Sequence, residues 1–332
     1  MQSFGVRIFS HHPFVSCFSI GENCNRIGFS NGATLSTSLS HLAGALAALG
    51  SAFLWAVSAI LFRRLGDQLS ALALNVGKGV IALLGLGALL LLQGWVSTDQ
   101  STLVVLALSG VLGIALGDTL YFLALVRLGA RVTLVVGCLI PVLTAIAAMF
   151  LFNESLTWVA TLGIGLTMAG VGVVLWEQAP SDDRATHWRS GMVFAALFAG
   201  ANAGAILLTK VGVADAPAIQ ATFIRQVAAL AALTFWVVAM RAGVQLQPPL
   251  KNPKLLGSLV FAAIIGALLG TWLSVTALKY THAGVAAALN STSPLFVLPL
   301  AVLWLKEQVS ARAVLGAAVA VGGVAVYFST IS

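Results

Sequence analysis

Residues 117–154, GDTLYFLALVRLGARVTLVVGCLIPVLTAIAAMFLFNE, and residues 270–307, GTWLSVTALKYTHAGVAAALNSTSPLFVLPLAVLWLKE, are one passage written twice. At a constant offset of 153, Gly113 matches Gly266, Gly117 matches Gly270, Pro141 matches Pro294 and Glu154 matches Glu307. The register continues to Gly163/Gly316 and Gly170/Gly323. At an offset of 147, Gly44 meets Gly191, Arg63 meets Lys210 and Lys78 meets Arg225. The offset grows because the second half has a longer loop, VQLQPPLKNPK, before its third segment. A duplicated apolar unit is a signature of membrane transporters.

Composition sets the solvent. Hydrophobic residues make up 59% of the 332 residues and charged residues 8%. A soluble domain has about 25% charged residues, so the bilayer must cover this surface. The net charge of +7 reports topology and lipid contact rather than a nucleic-acid partner. Cys17, Cys24 and Cys138 form no disulfide framework. The spacing of His11, His12, Cys17 and Cys24 is too irregular to suggest zinc. No metal or other cofactor is expected.

Residues 1–41 are polar, Ser-rich and nearly free of acids, the composition of a disordered N-terminal tail and also of a transit peptide. Ten apolar segments follow, at about 42–62, 71–93, 103–126, 132–152, 157–176, 190–209, 217–240, 255–279, 284–305 and 311–329. Each is long enough to span a bilayer. The polar stretch 177–189 links a first five-helix repeat, 42–176, to a second, 190–329. Five spans is an odd number, so the second repeat starts from the opposite side of the membrane. The expected fold is all-α and integral to the membrane: ten transmembrane helices as two inverted five-helix repeats.

The ordered, duplicated set of Trp55, Lys78, Ala124-Leu125, Pro141, Arg225, Ala277-Leu278 and Pro294 resembles the EamA-type branch of the drug/metabolite transporter superfamily. The resemblance covers about 290 residues and implies export or exchange of small metabolites, amino acids, amines or drugs. It implies a bacterial inner (plasma) membrane location. The small multidrug resistance branch carries a glutamate in its first helix, whereas segments 1 and 6 here hold no acidic residue.

Three ionisable residues lie well inside spans: Lys78, Asp118 and Arg225. Charges there are expensive and mark function. Lys78 is about seven residues into segment 2, and Asp118 about eight from the end of segment 3. At about 1.5 Å per residue both lie roughly 11–12 Å below one face, so an ion pair that titrates or opens in the cycle is expected, with protons as a candidate coupling ion. Arg225 sits near the opposite face. Its repeat has Thr271 where the first has Asp118, so Arg225 lacks the matching acid and is expected to draw an anionic solute group.

Asn202 and Asn290, with Trp55, Tyr121 and Trp272, are expected to line a solute site with Arg225. Asn75 requires a partner in the bundle. Gly113/Gly117 and Gly266/Gly270 are GxxxG pairs for close packing. Pro141, Pro294 and Pro299 should interrupt segments 4 and 9 and free carbonyls. Glu154 and Glu307 should end those segments in water.

The loops after segments 1, 3, 5, 7 and 9 hold 11 of the 17 Lys and Arg residues, against 4 on the other side. This favours termini outside, whereas the resemblance favours termini inside. No HExxH, P-loop or acid/base cluster is present, so neither an enzyme nor an ATP-driven pump is expected. The leading expectation is a secondary transporter working by alternating access, as a monomer or homodimer in the lipid bilayer. A non-transporting membrane sensor or assembly protein is the alternative from another class. Nucleotide-sugar or phosphorylated-sugar exchange is the alternative among transporters.

Overall fold

The computed structural model describes residues 30–152, 158–178, 185–239, 252–280, 286, 289–305 and 310–328. Two compact units are distinguished, Met1–Leu39 and Ser40–Ser332. The described part of the first, residues 30–39, is helical. Glu154, Glu307 and the candidate ligands His11, His12, Cys17 and Cys24 lie outside the described residues.

Among the described residues every regular element is helical. In chain order these are α1 (Ser30–Leu65), α2 (Ala71–Gln93), α3 (Gln100–Gly137) and α4 (Leu139–Phe152). They are followed by α5 (Trp158–Gln178), α6 (Ala185–Ala214), α7 (Ala218–Ala239) and α8 (Pro253–Tyr280). The last two are α9 (Ser293–Leu300, continued by a π turn Ala301–Leu305) and α10 (Ala311–Phe328). The apolar parts of α1, α2, α3, α6, α7 and α8 are each long enough to cross a membrane.

Local chemistry sets several of the boundaries. Ser70 caps α2 by accepting from the Ala73 amide at 3.2 Å, and Gly94 leaves the helix at φ 82°. Asn252 caps α8 with Pro253 in its first turn. Gly129 (φ 81°) turns the chain inside α3, so Leu128 ends one rod and Ala130 begins the next. Arg131, expected in that loop, is instead buried.

Segments 4 and 9 are both interrupted close to their prolines. Helical bonding breaks at Cys138 and again at Ser291–Thr292, before Pro141 and Pro294, and each proline sits in the first turn of the helix that follows. Pro there lacks only an N–H that would be orphaned anyway. Pro299 does lie inside α9, and the π turn follows it.

Large apolar side chains face outward, such as Leu91 at 87% exposed and Trp158 at 85%. Alanines of α1 (Ala48, Ala52, Ala56, Ala59) are fully buried, as expected where close van der Waals contact rather than water exclusion joins helices.

The halves pack through equivalent positions. Gly113 faces Ala205 and Gly266 faces Ser58. Gly117 faces Asn202 and Gly270 faces Trp55. Since 205 is 58 plus 147, 202 is 55 plus 147, and the glycines differ by 153, each contact occurs twice. A Cβ on Gly117 would stand 2.7 Å from the Asn202 amide, and one on Gly270 2.8 Å from the Trp55 ring. The glycine pairs therefore serve the close packing their spacing implies.

α5 and α10 meet backbone to backbone. Gly316 packs on Gly170 and Val174, Gly323 on Gly163 and Thr167. The Thr167 hydroxyl donates to Ala320 O at 3.3 Å. Numbers rise along one helix as they fall along the other, so the two run antiparallel. Thr167 and Ala320 are 153 apart, as are Cys138 and Ser291, whose thiol and carbonyl also touch (3.6 Å). A residue meeting its own counterpart is the mark of a two-fold relation.

A feature with no forewarning in the sequence is a pair of π turns, Val111–Gly117 in α3 and Ala263–Gly270 in α8. They occupy matching repeat positions. The Asn75 amide donates to Ile114 O at 2.9 Å, Ala115 O at 3.3 Å and Thr119 Oγ1 at 2.9 Å. That is the bundle partner Asn75 requires, and it satisfies carbonyls displaced by the wide turn.

Candidate functional site

The two glycine-gripped π helices, with α1, α2, α4, α6, α7 and the start of α9, enclose a cavity of about 210 Å³. Its wall takes side chains from both repeats.

Lys78 reaches it from α2 and Asp118 from the end of the first π turn. Their side chains form an ion pair and are 9% and 25% exposed. The Lys78 ammonium also lies 5.5 Å from the centroid of the Phe122 ring, within cation–π range. The helical depth arithmetic foresees this meeting.

Arg225 enters from α7, 9% exposed. Gly110 lets α3 cross α7 at backbone contact, since a Cβ there would strike the Arg225 carbonyl. Gly113 leaves room for the guanidinium, whose terminal nitrogen would lie 3.4 Å from a Cβ at that position. The Arg225 Nε has no hydrogen-bond partner among the described residues. Asp118 lies within Coulombic reach of Arg225 and Tyr121. Lys78 thus holds the Asp118 carboxylate in an ion pair and Arg225 feels its charge from farther off, although their sequence positions put the two cations near opposite faces. The cavity runs deep enough to join them.

Trp55, Tyr121, Asn202 and Asn290 also line the cavity. Tyr121 packs on Phe198 (centroids 5.2 Å) and Phe122 (5.3 Å). The Asn290 amide donates to Ser274 Oγ at 3.1 Å, leaving its Oδ1 unpartnered among the described residues. Of the candidate structural residues, Gly113, Gly266 and Pro141 are in the wall. Gly117 and Gly270 lie beneath Asn202 and Trp55. Pro294 is buried off the cavity.

Trp272 is not part of the lining. Its repeat counterpart is Thr119, not Tyr121, and the Thr119 hydroxyl bonds Ala115 O and Asn75. Both positions turn away from the cavity. The true counterpart of Tyr121 is Ser274, which does line it. The offset of 153 already carried that signal. Ser58, Phe62 and Phe198 are further lining residues that nothing in the sequence singles out among its many serines and phenylalanines.

The EamA-like transporter family matches residues 42–176 and 189–329. This chain belongs to that family. It is an integral membrane protein and a transporter. An uncharacterized transporter from Archaeoglobus fulgidus is 26% identical over 274 residues, which cover 82% of this chain and 92% of that one. A solved crystal structure aligns with TM-score 0.61 over 88% of this chain and 96% of its own, at 20% identity. That likeness speaks to the fold alone.

Proposed function

We propose that the chain is a secondary carrier that moves a small organic metabolite through this cavity by alternating access. The carrying observation is the cavity itself: it is built from both repeats and holds three charges, Lys78 and Arg225 buried and Asp118 half-buried, that no packing role requires. In this reading all ten helices cross an inner (plasma) membrane as two inverted five-helix repeats. The antiparallel contacts of α5 and α10, and the doubled glycine contacts of α3 and α8, support the inversion. Exchange of the two repeats' conformations would then open the same site to either side. The site lies within one chain, so a monomer suffices.

Lys78 and Asp118 form the coupling element. Their ion pair opens, by proton uptake on Asp118 or by capture of a solute group, and frees α2 to move against α3. The test is counterflow in proteoliposomes with labelled small metabolites, wild type beside Asp118→Asn. Wild-type accumulation that the folded mutant lacks is the expected result. Equal accumulation by the mutant removes Asp118 from the mechanism. No accumulation by folded wild type of any solute tried counts against the carrier reading.

A further inference from the structure

The charges of the wall do not cancel, and we infer from this that the bound solute is a small, single-ring organic anion of net charge −1. The inference rests on the reading of this cavity as the solute site. Among the described lining residues the charged side chains are Lys78, Asp118 and Arg225. Lys78 and Asp118 are paired, so together they contribute no net charge whether or not a proton passes between them. Arg225 remains. A guanidinium keeps its proton in any protein setting, so the side chains of the wall carry one unmatched positive charge. Letting Arg225 take Asp118 instead leaves Lys78 over, and the sum is unchanged.

A monoanion cancels that charge. A zwitterion leaves it in place, and a cation doubles it. Burial of an uncompensated charge is strongly unfavourable, so net charge selects the anion. The guanidinium supplies the contact. Its Nε is buried and unpartnered, and an Arg fork offers paired donors to a carboxylate. The unpartnered Asn290 Oδ1 can accept from a neutral hydroxyl or N–H on the same solute.

Size and wall chemistry define the rest. A cavity of about 210 Å³ is smaller than the roughly 300–1,000 Å³ of drug-sized sites. Trp55, Phe62, Tyr121 and Phe198 present ring surfaces to it, with Tyr121 and Phe198 already stacked at a tilt. A flat apolar body of one ring with a carboxylate fits both halves of this wall.

The probes are radiolabelled benzoate, phenylalanine and phenethylamine, which share a ring and differ in net charge. Direct binding and counterflow are measured on protein in phosphatidylcholine vesicles, which hold no anionic lipid to occupy Arg225. The expected result is saturable benzoate binding and counterflow, about tenfold or more above phenylalanine, phenethylamine or neutral benzamide. Arg225→Gln should bring benzoate and benzamide to equal affinity, and Arg225→Lys should keep part of the preference. A merely structural Arg225 would lower all ligands together.

Preference for phenylalanine or phenethylamine overturns the inference and leaves the carrier standing. Benzoate binding without counterflow keeps the anion site and overturns the carrier. No benzoate binding by folded wild type overturns the inference, as does binding only of added anionic lipid.

Discussion

Removing Lys78 and Asp118 singly and together isolates their interaction. Two unit charges about 4 Å apart interact by about 4 kcal/mol at an effective dielectric of about 20. The Asp118 side chain is 25% exposed and also lies within Coulombic reach of Arg225, so screening should reduce this to about 2 kcal/mol of coupling. Lys78→Met leaves Asp118 with Arg225 as substitute partner and should destabilise by about 2 kcal/mol. Asp118→Asn leaves two cations facing one cavity and should destabilise by about 3 kcal/mol. The double variant retains only Arg225, so its loss should fall about 2 kcal/mol short of the sum. Equilibrium unfolding by SDS in mixed micelles, followed by tryptophan fluorescence, measures all four proteins. Additivity to within about 0.5 kcal/mol would refute a coupled pair. Transport by the double variant is a separate readout: if coupling needs the pair itself, restored stability will not restore counterflow.

Cysteines at Gly163 and Gly323 should cross-link under mild oxidation and those at Gly163 and Gly316 should not; the reverse yield would mean that α5 and α10 run parallel. Gly170→Leu drives its side chain into the backbone of Ala320 and Gly316 and should destabilise by about 1–3 kcal/mol or more, read by heat-induced aggregation in detergent. Asn75→Leu strips three hydrogen bonds from the π turn of α3 and should cost about 2–4 kcal/mol, with faster amide exchange at residues 111–119; unchanged exchange would show that the turn holds without the brace. Gly270→Leu should push Trp55 into the cavity and reduce solute affinity at least tenfold with the fold retained, as binding and circular dichroism would show.

Much of this arrangement is written in the duplication. The repeat locates the glycine contacts, because a glycine kept at both offsets marks where helices touch at backbone distance. Depth counted in residues brings Lys78 to Asp118, since rise along a helix is nearly constant. The π turns escape such reading: one added residue in a uniformly apolar run leaves hydropathy unchanged. Trp272 is misread for a different reason: the offset of 153 pairs it with Thr119 and pairs Tyr121 with Ser274. Arg131 reads as a loop cation because it falls between two apolar segments, 103–126 and 132–152, and its burial among packed helices is a tertiary fact. Arg225 reads as remote from Asp118 because sequence gives depth along one helix and not the length of the cavity joining two.

Cys138 meets Ser291, and Thr167 meets Ala320, at places where two identical halves would set a residue against its own copy. Two separate copies must repeat every side chain, so any charge they bring to a shared centre comes in even numbers. Joining them in one polypeptide lifts that parity. One half can keep an aspartate where the other has a threonine, and the centre can hold an odd charge for the solute to cancel.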